Sequence, residues 1–188
     1  WRRAVIEALG AGRPARTVPP PPEAPDAMRE LQPLTAKPVL YVANVAEDTD
    51  AVPPEVLAHA EAEGARAVAV SARLEAELSE LEDEDAAAMR SDLGLTESSL
   101  QRVVHGAFEL LDLIAFFTAG EGKPAQSWHV RRGATAWEAA GEIHSDIQRG
   151  FVRAEVIAWD ALVEAGGYAA ARERGTLRLE GRDYEMAD

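Results

Sequence analysis

Two short apolar runs stand out along the chain, and polar or small residues follow each of them directly. Residues 38–42 (PVLYV) and 66–70 (RAVAV) are nearly continuous in hydrophobicity, as expected for strands buried on both faces of a parallel sheet. Between them, Pro53 and Pro54 open a segment that closes near Gly64, which is typical of a helix. The order strand, loop, helix, strand predicts one right-handed crossover unit of an α/β sheet.

Helical spacing replaces this pattern beyond the second run. Residues 74–91 (LEAELSELEDEDAAAMRS) are predicted to form one very acidic helix. Thr96 is predicted to cap a further helix, whose apolar stripe we expect to pack against the sheet as core. The members of this stripe are Leu100, Val103, Val104, Ala107, Phe108 and Leu111.

A strand-like pattern returns from about Asp112. The run LIAFFTAG and the later SWHVRR, in which Trp128 and Val130 alternate with polar neighbours, predict a hairpin with a turn in 120–126 (GEGKPAQ). Thr135 is predicted to begin a helix with Trp137, Ala140 and Ile143 on one face. A strand (151–159), a short helix (159–165), a polar connector and a strand within 176–186 follow. This order predicts a β-grasp domain, of a size usual for a small domain.

The first residues have a different character. Residues 1–9 (WRRAVIEAL) predict an amphipathic helix with Val5, Ile6 and Leu9 on one side, and the Pro-rich stretch 17–25 (TVPPPPEAP) predicts an extended linker. A helix of this kind at the very start leads us to expect that Trp1 lies inside a longer protein. We therefore divide the chain into a helix and linker (1–36), an α/β sheet domain (37–111) and the β-grasp domain (112–188).

Composition and charge narrow the function classes. The chain contains no Cys, which excludes disulfides, thiolate zinc sites and thiol catalysis within it and fits a cytoplasmic protein. The net charge is −14, and the middle segment 39–104 carries four basic against fifteen acidic side chains. Because such a segment repels polyanions at long range, contact with RNA would have to use a local basic face. Four arginines around the predicted β-grasp strands are the candidates, and surface ion pairing explains them about as well. They are Arg131, Arg132, Arg149 and Arg153.

The polar residues after the two apolar runs are the candidate site. Asn44-Val45-Ala46-Glu47 follows the first run in the frame of the Asn-Lys-x-Asp base-recognition motif of GTPase-type domains, and Ser71-Ala72 stands where a second loop would touch the base. Ligands of open α/β sheets bind beyond the carboxyl ends of the strands, where both segments are expected. Glu47 is one methylene longer than Asp and Val45 replaces Lys, so the pattern argues against strict guanine preference. The alternative for Asn44 is a loop that caps a helix.

The sequence gives little indication of a phosphate-binding, catalytic or metal site. No G-x-x-x-x-G-K-[ST] segment occurs, so these 188 residues contain no predicted catalytic group and should bind nucleotide weakly by themselves. The four histidines (His59, His105, His129 and His144) show no i, i+4 pairing, so no metal site is predicted. His144 is interpreted as a residue at a helix end. The carboxylates in 80–85 are interpreted as a solvated helix face rather than a cation site.

Several segments together resemble one protein family. They are PVLYVANVAED (38–48), LEAELSELEDED (74–85), FFTAG (116–120), GATAWEAAGEIHSDIQRGFVRAEVIAWD (133–160) and GRDYEMAD (181–188). Over nearly all of 37–188 the chain resembles the YchF-type subfamily of Obg-related P-loop NTPases. Residues 133–188 resemble its TGS domain, a β-grasp module. The implied fold is α/β: part of a Rossmann-like P-loop NTPase sheet followed by the TGS domain, with a remnant of a helical insertion at the start.

The resemblance implies a function in two parts. The first is binding and hydrolysis of ATP or GTP, with the base held by Asn44, Val45, Glu47, Ser71 and Ala72, and with Mg²⁺ whose ligands are expected outside this segment. The second is association with the ribosome (large subunit) or RNA. The alternative is a non-hydrolytic RNA- or ribosome-binding module that acts through the TGS domain. A third interpretation, an unrelated acidic α/β protein, does not account for residues 133–160.

Overall fold

A computed structural model describes residues 1–120 and 123–187, with the side chain of Lys123 omitted. The chain forms two compact units, residues 1–110 and residues 111–188, and each is described by itself. The turn expected at 120–126 includes Glu121 and Gly122, which lie outside the described residues. None of the helices in the described part of the chain has the length and apolarity needed to cross a membrane.

The first unit is built around a parallel pair of strands. Its elements in chain order are α1 (Arg2–Gly10), α2 (Ala27–Leu31), β1 (Leu40–Asn44), α3 (Pro54–Ala62), β2 (Arg66–Val70), α4 (Ala72–Leu78), α5 (Asp83–Asp92) and α6 (Ser99–Leu110). Strands β1 and β2 pair in register from Leu40 opposite Arg66 to Asn44 opposite Val70. The predicted crossover unit is therefore confirmed, and Pro54 stands in the first turn of α3, where a missing N–H costs nothing.

Helices lie on both faces of this pair, but they do not cover it fully. On one face, Tyr41 meets His59 of α3 edge to face, with ring centroids 5.4 Å apart. On the other face, α6 approaches Leu40 and Val68 closely at Gly106. Val42 stays 49% exposed, so the prediction of a strand buried on both faces is wrong for β1. Within the described residues β1 has a hydrogen-bonded neighbour on one edge only.

The acidic segment is divided rather than continuous. The expected single helix over 74–91 is wrong, because α4 ends at Leu78 and α5 starts at Asp83. The break lets Leu74, Leu78 and Ala86 fold together into a small buried cluster, and a straight helix could not bring these positions to one point.

The start of α6 also differs from the expectation. Thr96 is not the cap: Ser98 Oγ accepts from the Gln101 N–H (3.2 Å), and Gln101 Oε1 accepts from the Ser98 N–H (2.8 Å). This reciprocal pair is a capping box, which satisfies two N–H groups at once. The predicted core stripe is only partly correct, since Leu100 is 70% exposed and the buried residue of α6 is Gly106.

The residues before β1 are attached to the sheet unit. The buried side of α1 consists of Val5 and Ala8, whereas Ile6 and Leu9 are exposed, so the predicted apolar face is wrong apart from Val5. Arg16 Nη2 and Tyr41 Oη both donate to Glu63 Oε2, each at 2.9 Å. The hydrogen bond to Glu63, followed by burial, raises the pKa of Tyr41.

The Pro-rich stretch is not a simple extended linker. Ala24 N–H donates to the Pro21 carbonyl at 2.9 Å, which closes a turn, and a 3₁₀ turn (Ala15–Thr17) and α2 flank the stretch. Ala15 N–H also donates to Thr35 Oγ1 at 3.1 Å, across the whole stretch.

The second unit begins with an antiparallel hairpin. Its elements are β3 (Leu113–Gly120), β4 (Lys123–Arg131), α7 (Ala136–Ile143), α8 (Ser145–Gly150), β5 (Arg153–Val156), α9 (Trp159–Ala165), α10 (Tyr168–Glu173) and β6 (Arg178–Gly181). Ile114 pairs with Val130 and both are buried, and Phe116 pairs with the half-buried Trp128. Trp128 and Val130 thus share the inner face as predicted, and Trp128 Nε1–H donates to Thr118 Oγ1 at 2.9 Å.

Helix α7 starts at the predicted cap. The Thr135 hydroxyl oxygen accepts from the Glu138 N–H, and the Glu138 carboxylate accepts from the Thr135 N–H at 2.7 Å. The buried face consists of Ala136, Ala139 and Ala140, whereas Trp137 lies outside it with the Arg182 guanidinium 5.5 Å from its ring centroid. Trp137 is therefore exposed, whereas Ala140, which was predicted on the same face, is buried.

The end of the unit has more helix and less strand than expected. Helix α10 replaces the polar connector, β5 is limited to four residues, and β6 is antiparallel to β5. Within the described residues, β3–β4 and β5–β6 are separate two-stranded ladders. The α/β class is confirmed, and the order hairpin, helix, strand, helix, strand is the predicted one.

Candidate functional site

The two predicted loops meet at the carboxyl ends of β1 and β2. Asn44 and Val70 are register partners, and the Val45 N–H donates to the Val70 carbonyl at 2.8 Å. The parallel pairing therefore continues one residue past Asn44. It places the Asn44–Glu47 segment directly beside Ser71 and Ala72, although 27 positions separate the two in sequence.

The Asn44 side chain joins the two loops. Its Oδ1 accepts from the Ala72 N–H at 3.1 Å. Ser71 is 7% exposed, and its hydroxyl accepts from the Leu74 N–H at 3.3 Å, so Ser71 is the N-cap of α4. Two amides at the start of α4 thereby have partners: that of Leu74 is satisfied by the local N-cap, and that of Ala72 by a side chain 28 positions earlier. The hydrogen bond from the Ala72 N–H to Asn44 Oδ1 fits both interpretations of Asn44. It satisfies an amide at the start of α4, and it links the two loops.

The Glu47 carboxylate contacts an arginine that sequence reasoning missed. Arg73 Nε lies 2.8 Å from Glu47 Oε1 and 3.2 Å from Glu77 Oε1. The hydrogen bond to Glu77 and the charge of Glu47 raise the pKa of Arg73 above its ordinary value. The i, i+4 spacing of Arg73 and Glu77 was visible in the sequence. The link to Glu47 required the parallel pairing.

A small open depression lies beside these loops. Its walls include residues of both loops, of α4 and of the region that leads into α6. They are Val45, Glu47, Thr49, Asp50, Val70, Ser71, Leu74, Glu75, Leu95, Glu97, Ser99 and Arg102.

Arg102 is the basic side chain at the depression, and only 17% of it is exposed. Its guanidinium lies 3.9 Å from both Asp50 Oδ2 and Glu97 Oε1, and Nη1 donates to the Asp50 carbonyl at 3.4 Å. It thus ties the loop after Asn44 to α6. Nothing in the sequence pattern singled out Arg102.

Histidine and carboxylate side chains are the groups of this chain that could hold a metal ion. No three His, Asp or Glu side chains come together as a cation site in residues 1–120 and 123–187.

The predicted RNA-contact arginines lie at separate places in the second unit. Arg132 Nε lies 3.5 Å from Asp112 Oδ1, and the Arg149 guanidinium pairs with Asp146. Arg131 is at the end of β4 and Arg153 begins β5, and both are exposed. His144 ends α7 and caps α8, with Nδ1 accepting from the Asp146 N–H at 3.1 Å. His144 is therefore a residue at a helix end, as interpreted.

Comparisons with known proteins find similar proteins for most of the chain. Residues 113–188 match the family described as YchF-GTPase_C, protein of unknown function (DUF933). The chain is 40% identical to the ribosome-binding ATPase YchF of Bacillus subtilis over 97% of its own length and 51% of that protein. It is 47% identical to the protein of the same name from Haemophilus ducreyi, over 82% of this chain and 43% of that protein.

A solved structure supports the same relationship. The structure of the Schizosaccharomyces pombe YchF GTPase superposes with a TM-score of 0.75 and 27% identity, over 100% of this chain and 52% of that one. The chain spans about half the length of the curated relatives it matches. Residues 113–188 thus match the family model of the YchF C-terminal region, and the chain as a whole is similar to YchF proteins in sequence over 97% of its length and in fold.

Proposed function

We propose that this chain provides the base-binding edge of a ribosome-associated, cytoplasmic protein that binds and hydrolyses ATP, GTP or both. The observation that carries the proposal is the hydrogen bond from the Ala72 N–H to Asn44 Oδ1, which joins the two loops at the carboxyl ends of parallel strands. In open α/β sheets this edge is where ligands bind. Relatives called ribosome-binding ATPase, and a structure called a GTPase, support the same activity.

The residues have distinct roles in this proposal. Asn44 positions Ser71 and Ala72, whose backbone faces the base, and Val45 covers the base from the side. Glu47 contributes through its ion pair with Arg73 rather than as the direct partner of a guanine edge, since its carboxylate is already engaged at 2.8 Å. Phosphate binding, Mg²⁺ ligation and hydrolysis are assigned to residues outside 1–188, because none of these 188 forms a P-loop motif.

The experiment is a selectivity measurement in the full-length gene product that carries residues 1–188. Fluorescent ATP and GTP analogues are titrated into the wild type, Glu47→Ala and Glu47→Gln. Loss of the Arg73 ion pair should loosen the loop and change the ratio of the two affinities, and both variants should do so alike. Unchanged affinities for both nucleotides would remove Glu47 from the base site. The matched control is Glu55→Ala, an exposed carboxylate in the first turn of α3.

The second candidate function is a non-hydrolytic module that binds RNA or the ribosome through the TGS-like unit. The name ribosome-binding, printed for several relatives, favours ribosome contact, and Arg131 is an exposed cation without an ion pair among the described residues. The double variant Arg131→Glu/Arg132→Glu should reduce cosedimentation with ribosomes and their large subunits. Full retention in the pellet would exclude this face as the contact.

A further inference from the structure

Arg102 of α6 is a charged side chain in a largely buried position, since only 17% of it is exposed. Its Nη1 donates to the Asp50 carbonyl at 3.4 Å, and its Nη2 lies 3.9 Å from Asp50 Oδ2. On the other side, Nε lies 3.9 Å from Glu97 Oε1. Taking a guanidinium out of water and fixing its long side chain both cost free energy. The largely buried position therefore indicates that these contacts matter to the protein.

The Asp50 contact holds the far end of the β1 loop, which we define as residues 45–50. At the near end, the Val45 N–H donates to the carbonyl at the end of β2 at 2.8 Å. Within residues 46–50, the structure describes two hydrogen-bonded or ionic attachments to other elements, from Glu47 to Arg73 and from Asp50 to Arg102. Because Arg73 is 79% exposed, water and salt screen the first of them. Arg102 is thus the better shielded of the two attachments.

We infer that Arg102 is the positioning residue of the base site and holds the β1 loop in the conformation that receives a base. This inference rests on the proposed function, which assigns Val45 and Glu47 of the loop to that site. Arg102 acts through Asp50, and no contact with the nucleotide is assigned to it. A loop that is already ordered loses less conformational entropy on binding, so its affinity for the ligand is higher. Loss of Arg102 should therefore weaken ATP and GTP binding alike, whereas the Glu47 variants should change their ratio.

The alternative role of Arg102 is simple attachment of α6 to the sheet. Two other contacts already provide this attachment. At Gly106 the helix lies so close that a β-carbon would be 2.9 Å from Val68 Cγ1, and near the helix end Arg66 Nη1 donates to Glu109 Oε2 at 2.7 Å. Arg66 begins β2 and lies at the opposite end of the strand from Ser71. Arg66→Ala is therefore the matched control, because it removes an arginine contact between the sheet and α6 away from the base site.

The test uses the full-length gene product that carries residues 1–188. Arg102→Met keeps an unbranched stem without a donor, and Arg102→Lys keeps a charged donor. With fluorescent ATP and GTP analogues, both dissociation constants should rise about tenfold in Arg102→Met and at most about threefold in Arg102→Lys. Steady-state hydrolysis should show the same rise in KM with a much smaller change in kcat, because the lost binding is equal in the ground and transition states. Arg66→Ala should match the wild type.

Amide hydrogen exchange in the nucleotide-free protein locates the change. The Thr49 N–H donates to the Ala46 carbonyl at 3.4 Å within the β1 loop. Exchange at Thr49 should be faster in Arg102→Met than in the wild type, and protection of β1 and β2 should stay the same. Loss of protection throughout both strands would overturn the inference, because Arg102 would then hold the fold rather than the loop.

The outcomes separate this inference from the proposed function. Nucleotide binding by the wild type together with equal dissociation constants in Arg102→Met overturns the positioning role and leaves the base site intact. An equal loss of affinity in Arg66→Ala, or in Arg102→Lys, also overturns it. Absence of nucleotide binding by the wild type overturns the proposed function and the inference together. A proportional loss for both nucleotides in Arg102→Met, beside a changed ratio in the Glu47 variants, supports both.

Discussion

Gly106 provides the sharpest test of how α6 is held against the sheet. A β-carbon at this position would lie 2.9 Å from Val68 Cγ1 and 3.4 Å from Leu40 Cδ1. In a helix that is not closely packed, replacing Gly by Ala stabilises the protein by about 1 kcal/mol, because Ala restricts the unfolded chain and favours helix. At Gly106 we predict the opposite sign.

Two opposing effects set the magnitude. Helix propensity favours Ala by about 0.8–1.0 kcal/mol. Overpacking of a core costs typically 1–3 kcal/mol, and Val68 has little freedom to move aside, because a β-branched side chain is stiff at χ1. The net expectation for Gly106→Ala is a loss of about 1 kcal/mol in the free energy of unfolding of the first unit.

The assay is native-state amide hydrogen exchange in β1 and β2, which reports the first unit alone. A double-mutant cycle with Val68→Ala supplies the control, because this change removes the Cγ1 atom that the new methyl would meet. In the Val68→Ala background, Gly106→Ala should become neutral or stabilising, which gives a coupling energy of about 1–2 kcal/mol. Stabilisation by Gly106→Ala in both backgrounds would refute the close approach of α6 to the sheet.

Four further predictions concern the loop contact and α7. Asn44→Ala should speed hydrogen exchange at the Ala72 amide and lower the free energy of unfolding by about 0.5–1.5 kcal/mol. Asn44→Asp keeps an acceptor for this amide and should do neither. Equal protection of the Ala72 amide in both variants would contradict the contact. Thr135→Ala should cost about 1 kcal/mol by urea titration. Hydrogen bonds from the Thr135 backbone and then its hydroxyl lower the pKa of Glu138. The stability that the charged Glu138 contributes is therefore complete above the ordinary pKa of a glutamate, and it is lost as pH falls through the lower pKa of the folded state. The free energy of unfolding of Glu138→Gln should therefore not show this loss as the pH is lowered. A pH profile of stability equal to that of the wild type would contradict the prediction. Gly141→Ala should be tolerated, since its β-carbon meets only the end of a flexible glutamine side chain; a loss above about 1 kcal/mol would contradict this.

The strand ends of the candidate site were predictable from local pattern. Apolar runs of strand length, closed by polar residues and separated by a Pro-initiated helix, leave few alternatives to a parallel crossover. That topology places Asn44 beside Ser71, because the carboxyl ends of parallel strands meet at one edge. The resemblance of the chain to the YchF family, which the comparisons confirm, rested above all on another segment, residues 133–160. The assignment of individual residues to a base site stays a prediction.

The errors have a common physical origin. Val42, Ile6 and Leu100 were expected in a core, and each is exposed. An apolar pattern indicates that burial of a face would be favourable. Whether a neighbouring element covers that face depends on residues that are distant in sequence. Trp137 is a further example, since this ring fits the apolar pattern of α7 and is exposed, whereas Ala136, Ala139 and Ala140 are buried.

The sequence by itself determined the two parallel strands and the helix between them, the start of α7 at Thr135, the α/β class, and the excess of acidic charge in the middle of the chain. These properties depend on side-chain period, on Pro and Gly, and on composition, all of which are local. Only the tertiary structure decided that Glu47 meets Arg73, that Arg102 joins the loop after Asn44 to α6, and that Phe117 remains exposed. These contacts join residues far apart in sequence, and their geometry follows from the register of the strands and the approach of helices.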